Sequence, residues 1–77
     1  MNRIDARGRR CPYPIVLLGR AAASAGPDQE LMLLSDDPVS VIDVPAWCRM
    51  RGAALLRTVE RDGYWEFTVV TAPEQRR

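Results

Sequence analysis

Asp62-Gly63 is the feature that most narrows what this chain can become. It separates two strand-like runs, "AALLRTVER" (53–61) and "YWEFTVV" (64–70). A two-residue Asp-Gly loop suits a tight turn whose twist matches the flanking strands, so the C-terminal third reads as an antiparallel hairpin. In the second run Trp65, Phe67 and Val69 alternate with Glu66 and Thr68. That period predicts one buried face and one wet face.

The rest of the chain supplies helices to cover such a hairpin. "RIDA" (3–6) is read as a first strand and "RGRR" (7–10) as a loop. Cys11 is placed at a helix N-cap, with Pro12 at the first helical position and Pro14 in the same turn, where a missing N–H costs little. Ile15, Leu18, Ala22 and Ala25 then share one stripe, and Gly26-Pro27 stops the helix. "ELMLLS" (30–35) is an apolar run bounded by turn residues, which fits a buried strand, and "DDP" (36–38) breaks it. A second helix is expected from Asp43, as N-cap, to Arg51, because Pro45 is costly deep inside a helix. Cys48 falls one turn from Val44 and is expected in the core. The order β-α-β-α-β-β predicts an α+β fold, a two-layer sandwich of a four-stranded mixed sheet with two helices on one face. The 77 residues are read as one domain, with 72–77 a frayed tail.

Composition removes several kinds of function. The net charge is +1, which provides no bulk attraction for nucleic acid or anionic lipid. No histidine is present, so a Cys–His or Ser–His pair cannot form within the chain. Two cysteines alone do not complete a structural zinc site. No metal or cofactor is therefore expected. No apolar run approaches the roughly 20 residues of a membrane span, and no charged-then-apolar leader opens the sequence. The expected compartment is the cytoplasm, where thiols stay reduced.

The chemistry concentrates at "GRRCPYPIVLL" (8–18). A helix N-terminus carries roughly half a positive charge, which favours a thiolate over a thiol. Arg7, Arg9 and Arg10 are near in sequence and are expected to act in the same direction. Pro12 and Pro14 stiffen the turn that aims the sulfur. An anionic, exposed sulfur that needs no base beside it suits a carrier: it attacks a sulfur donor and becomes a persulfide. The plainer alternatives are a cysteine that merely precedes a helix, arginines that are solvated surface, and a "DDP" that is only a turn and cap.

Taken together, "DARGRRCPYP" (5–14), "DDP" (36–38) and "DVPAWC" (43–48) resemble the TusA/SirA-like sulfur-carrier family. Its pattern is Asp-x-x-Gly-Leu-x-Cys-Pro-x-Pro, then Asp-Asp-Pro, then Asp-Ile-Pro-x-Phe-Cys. The resemblance covers roughly residues 3–71. It implies the same two-layer sandwich. It also implies that Cys11 accepts a persulfide sulfur from a protein donor, a cysteine desulfurase or a rhodanese-like protein, and relays it to a protein acceptor. Pro12, Pro14, Arg9, Arg10, Asp36 and Asp37 would support Cys11. Such a protein resembles a relay shuttle more than an enzyme with a substrate pocket. Three positions depart from the pattern: Arg9 replaces the usual leucine, Gly19-Arg20 keeps only the second member of a frequent basic pair, and Gly52-Ala53 lacks a frequent histidine. Three other readings stay open: a regulatory or binding module of the same fold, a thiol redox sensor with Cys11 oxidised, and an RNA-binding domain. The last is disfavoured by the charge and by the lack of basic-aromatic alternation.

Overall fold

The computed structural model describes residues 2–74. The elements are β1 (Asn2–Asp5), α1 (Tyr13–Ala25), β2 (Glu30–Ser35), α2 (Ser40–Arg51), β3 (Ala54–Arg61) and β4 (Tyr64–Val70). The strands form one sheet in the order β1-β2-β4-β3. β1 and β2 are parallel, while β4 runs antiparallel to both β2 and β3, so the sheet is mixed. The hairpin closes through Asp62-Gly63, and Gly63 takes a φ of 87°, a region that favours glycine.

Both helices pack on one face of this sheet. Leu31 and Leu33 of β2 lie beside Val69 and Phe67 of β4 in register, and all four are fully buried. Leu18 of α1 and Val44, Trp47 and Cys48 of α2 close over them. Ile15, Ala22 and Ala25 pack against the same cluster, as the α1 stripe predicts. Cys48 is in the core, 3% exposed.

Four local expectations are corrected. Pro12 is the N-cap of α1 and not its first residue, so Cys11 lies one position before the cap. α2 begins at Ser40, three residues before Asp43. The earlier start is fixed by contacts that span the β2–α2 connection: the Asp37 carboxylate accepts from the Val39 N–H at 3.1 Å, and the buried Ser35 and Ser40 hydroxyls pair at 2.7 Å. Pro45 is thus inside the helix, where it has no N–H to donate to the carbonyl four residues back, that of Val41.

The third correction is on β4. Glu66 and Thr68 are not wet: they are 9% and 1% exposed. β4 is an inner strand, so each side chain has a neighbour on both sides. Thr68 lies between Met32 and Arg57, and Glu66 between Leu34 and Val59. Arg61 pairs with Glu66 at 3.1 Å, which compensates the buried carboxylate. The fourth concerns the tail. Ala72 is tied down, accepting from the Asp28 N–H at 3.3 Å, and residues 75–77 lie outside the described region.

Candidate functional site

The loop between β1 and α1 carries Cys11, and carboxylates from the β2–α2 side hold it. The loop starts from a fixed point, because buried Ala6 donates its N–H to the Leu34 carbonyl at 2.8 Å. The Gly8 N–H then points at the Asp36 carboxylate, 3.0 and 3.1 Å from its two oxygens, and Gly8 has a φ of 84°. The Cys11 N–H donates to Asp37 Oδ2 at 2.6 Å. Asp37 is itself oriented by its own N–H, which donates to Ser35 Oγ at 3.2 Å. The "DDP" segment therefore positions the cysteine loop through two successive carboxylates.

The two prolines have different tasks. Pro14 is fully buried and anchors the first turn of α1 against the core. Pro12 is exposed beside Cys11, and the peptide bond between them is cis. Cys11 itself is exposed.

The thiol does not have the electrostatic surroundings expected from the sequence. Its Sγ donates to Asp43 Oδ2 at 3.0 Å. That hydrogen bond, some desolvation, and the negative charges of Asp43 and Asp37 push the Cys11 thiol up from its ordinary value, not down. The causes of the reversal are local. The first helical N–H, that of Tyr13, is taken by the Arg10 carbonyl at 2.8 Å, and Pro14 has none to offer. The arginines are engaged elsewhere. Arg7 forms a two-pronged pair with Asp5, at 2.9 and 2.8 Å, Arg9 stacks over the Tyr13 ring at 4.8 Å, and Arg10 reaches Asp36 at 3.7 Å.

The fold thus gathers Cys11, Pro12, Arg9, Arg10, Asp36 and Asp37 in one place, with Pro14 as the anchor beneath. Asp43 belongs with them, although its sequence marks it only as the N-cap of the second helix and as the first residue of "DVPAWC". Its spacing of 32 residues from Cys11 carries no local signal. An open groove of about 190 Å³, lined by Pro12, Ile15, Asp43, Ala46, Trp47 and Met50, lies alongside. A larger cavity, about 320 Å³ and lined in part by Gly19, Trp47, Arg51 and Thr71, includes neither Cys11 nor its carboxylate partners. Cys48 is buried and free. Among the described residues no cluster of histidine, cysteine and carboxylates is arranged to hold a metal, and no helix is long and apolar enough to cross a membrane.

The chain is similar to known proteins in sequence and in fold. The family model described as sulfurtransferase TusA matches residues 2–71. A relative described as sulfur carrier protein TusA, from Buchnera aphidicola subsp. Baizongia pistaciae, is 32% identical over 68 residues, spanning 88% of this chain and 86% of its own. The crystal structure of a SirA-like protein from Desulfitobacterium hafniense superposes with a TM-score of 0.84 at 28% identity, covering 94% of this chain and 99% of that one.

Proposed function

The chain belongs to the TusA family, and on that premise we propose that it is a sulfur carrier whose working atom is the Cys11 sulfur. The observation that supports this reading best is the exposed Cys11 thiol on a loop clamped by Asp36 and Asp37. An inert core cysteine needs no such scaffold, and Cys48 has none.

In the proposed reaction the donor carries a persulfide, R–S–SH. Cys11 Sγ attacks the outer sulfur. A new S–S bond forms at Cys11, the donor's S–S bond breaks, and the electron pair leaves on the donor thiolate, which takes up the proton that Sγ gives up. The products are R–SH and Cys11–S–SH. The sulfur moves with no net oxidation, so no further reactant is needed. Delivery to an acceptor thiol is the same exchange in reverse. The donor is a cysteine desulfurase or a rhodanese-like protein, the acceptor is a second protein, and the relay operates in the cytoplasm, where Cys11 stays reduced between cycles.

The raised thiol constrains the reading. Cys11 is not a standing thiolate, so attack requires loss of its proton at the moment of exchange. Incubation with a cysteine desulfurase and cysteine, or with a rhodanese and thiosulfate, followed by intact-mass measurement, tests the proposal. A gain of one sulfur atom per chain is expected. No gain with either donor would reject it.

A further inference from the structure

A thiol can donate a hydrogen bond, and an ionised carboxylate can only accept one. The contact between Cys11 Sγ and Asp43 Oδ2, 3.0 Å long, therefore exists only while Cys11 keeps its proton. The charged groups around the sulfur come from three places: Arg9 and Arg10 on its own loop, Asp36 and Asp37 between β2 and α2, and Asp43 on α2. Four of these have other partners. Arg9 lies over Tyr13, Arg10 pairs with Asp36, Asp36 also accepts from Gly8, and Asp37 accepts from the backbone N–H groups of Cys11 and Val39. Among the described residues, the side chain in hydrogen-bond contact with the sulfur is Asp43. The groove beside the pair has Pro12, Ile15, Ala46, Trp47 and Met50 for walls.

We infer that Asp43 is a positioning residue that holds the unloaded Cys11 as a protonated thiol turned toward α2, and that loading with sulfur breaks this hold. The inference rests on the carrier reading for its second half. Once Sγ is bonded to an outer sulfur it has no hydrogen to donate, so the contact is lost. An ionised persulfide beside the Asp43 carboxylate is also repelled, because like charges in close contact disfavour each other. The unloaded sulfur is thereby kept quiet and the loaded sulfur is turned away from α2. One carboxylate distinguishes the two states of the carrier.

The test is the pH dependence of Cys11 alkylation by iodoacetamide, quantified on the Cys11 peptide, for the native protein, Asp43→Asn and Asp43→Ala. In both variants the inflection should move to lower pH. Each tenfold gain in thiolate is offset by roughly threefold in nucleophilicity, since reactivity falls as the thiol becomes more acidic, so the rate at neutral pH should rise by about threefold for each tenfold gain in thiolate. Profiles that superimpose on the native one would overturn the inference. Should neither variant fold by circular dichroism, the native profile is compared with that of the same chain in urea. The native inflection should be the higher of the two, and an equal or lower one would overturn the inference. Persulfide loading is measured alongside on the native protein. A shifted profile with no loading rejects the carrier reading and keeps the role of Asp43 in holding the thiol. Loading with unshifted profiles does the opposite.

Discussion

The Asp37 carboxylate accepts the Cys11 N–H at 2.6 Å, across 26 residues of sequence, and the same side chain accepts the Val39 N–H at 3.1 Å. One buried aspartate thus joins the loop that carries the sulfur to the start of the helix that carries Asp43.

Replacing Asp37 with alanine should loosen both ends of that link. Loss of a capping side chain weakens a helix start, and in a domain of this size the thermal midpoint should drop by about 4–8 °C. The Cys11 loop should also become mobile, so amide hydrogen exchange at residues 8–11 should accelerate more than exchange in β2 or β4. Uniform acceleration across the sheet would mean that Asp37 supports the whole fold and not the loop.

Acid should release the same link. The Cys11 N–H, then the Val39 N–H, hold the Asp37 carboxyl below the usual carboxylate range. A group depressed on folding contributes stability that is fully present above its unfolded value, about 3.9 for aspartate, and is lost as pH falls through the lower folded value. Thermal unfolding followed from pH 6 downward, pH values being set by the experimenter over roughly the carboxylate range, should show a falling midpoint that is shallower in Asp37→Asn. Asp5, drawn down to about 2 chiefly by its side-chain bond to Arg7, titrates in the same direction. That pair is exposed and screened, so Asp5→Asn should change the acid slope less than Asp37→Asn does.

Cys48 should be dispensable for sulfur loading. It is packed with Val44, Trp47 and Leu18 under the helices and is 3% exposed. Burial pushes its thiol up, so it is a poor nucleophile as well as an inaccessible one. Cys48→Ala should load to the native extent and lose about 1 kcal/mol of stability, a typical value for a point change. A folded Cys48→Ala protein that fails to load would favour a two-thiol redox role over a carrier.

What the sequence made legible was what neighbours in the chain decide. Asp62-Gly63 marks a hairpin, Gly26 stops α1, and the run 30–35 is a buried strand, because each depends on turn chemistry or on a short apolar period. Cys11, the prolines and the two aspartates of "DDP" were also readable as a group. The misreadings involve contacts that the pattern along any one element does not disclose. The early start of α2 depends on the Ser35–Ser40 pair and on Asp37. The burial of Thr68 depends on β4 lying between β2 and β3, which alternation along one strand does not disclose. The state of the Cys11 thiol depends on Asp43, and a helix N-terminus with arginines before it gave the wrong sign because those arginines are paired with Asp5, Tyr13 and Asp36.

The central claim is that sulfur is carried on Cys11, and site-resolved mass spectrometry of the loaded protein tests it most directly. The protein is incubated with a sulfur donor, its persulfides are trapped by alkylation without reduction, and the peptides containing Cys11 and Cys48 are compared with those of Cys11→Ser. Serine keeps the backbone N–H that donates to Asp37 and differs from cysteine by one atom, so the loop should stay in place. The extra sulfur should appear on the Cys11 peptide alone and vanish in Cys11→Ser. Sulfur on the Cys48 peptide, or loading that survives Cys11→Ser, would contradict the account.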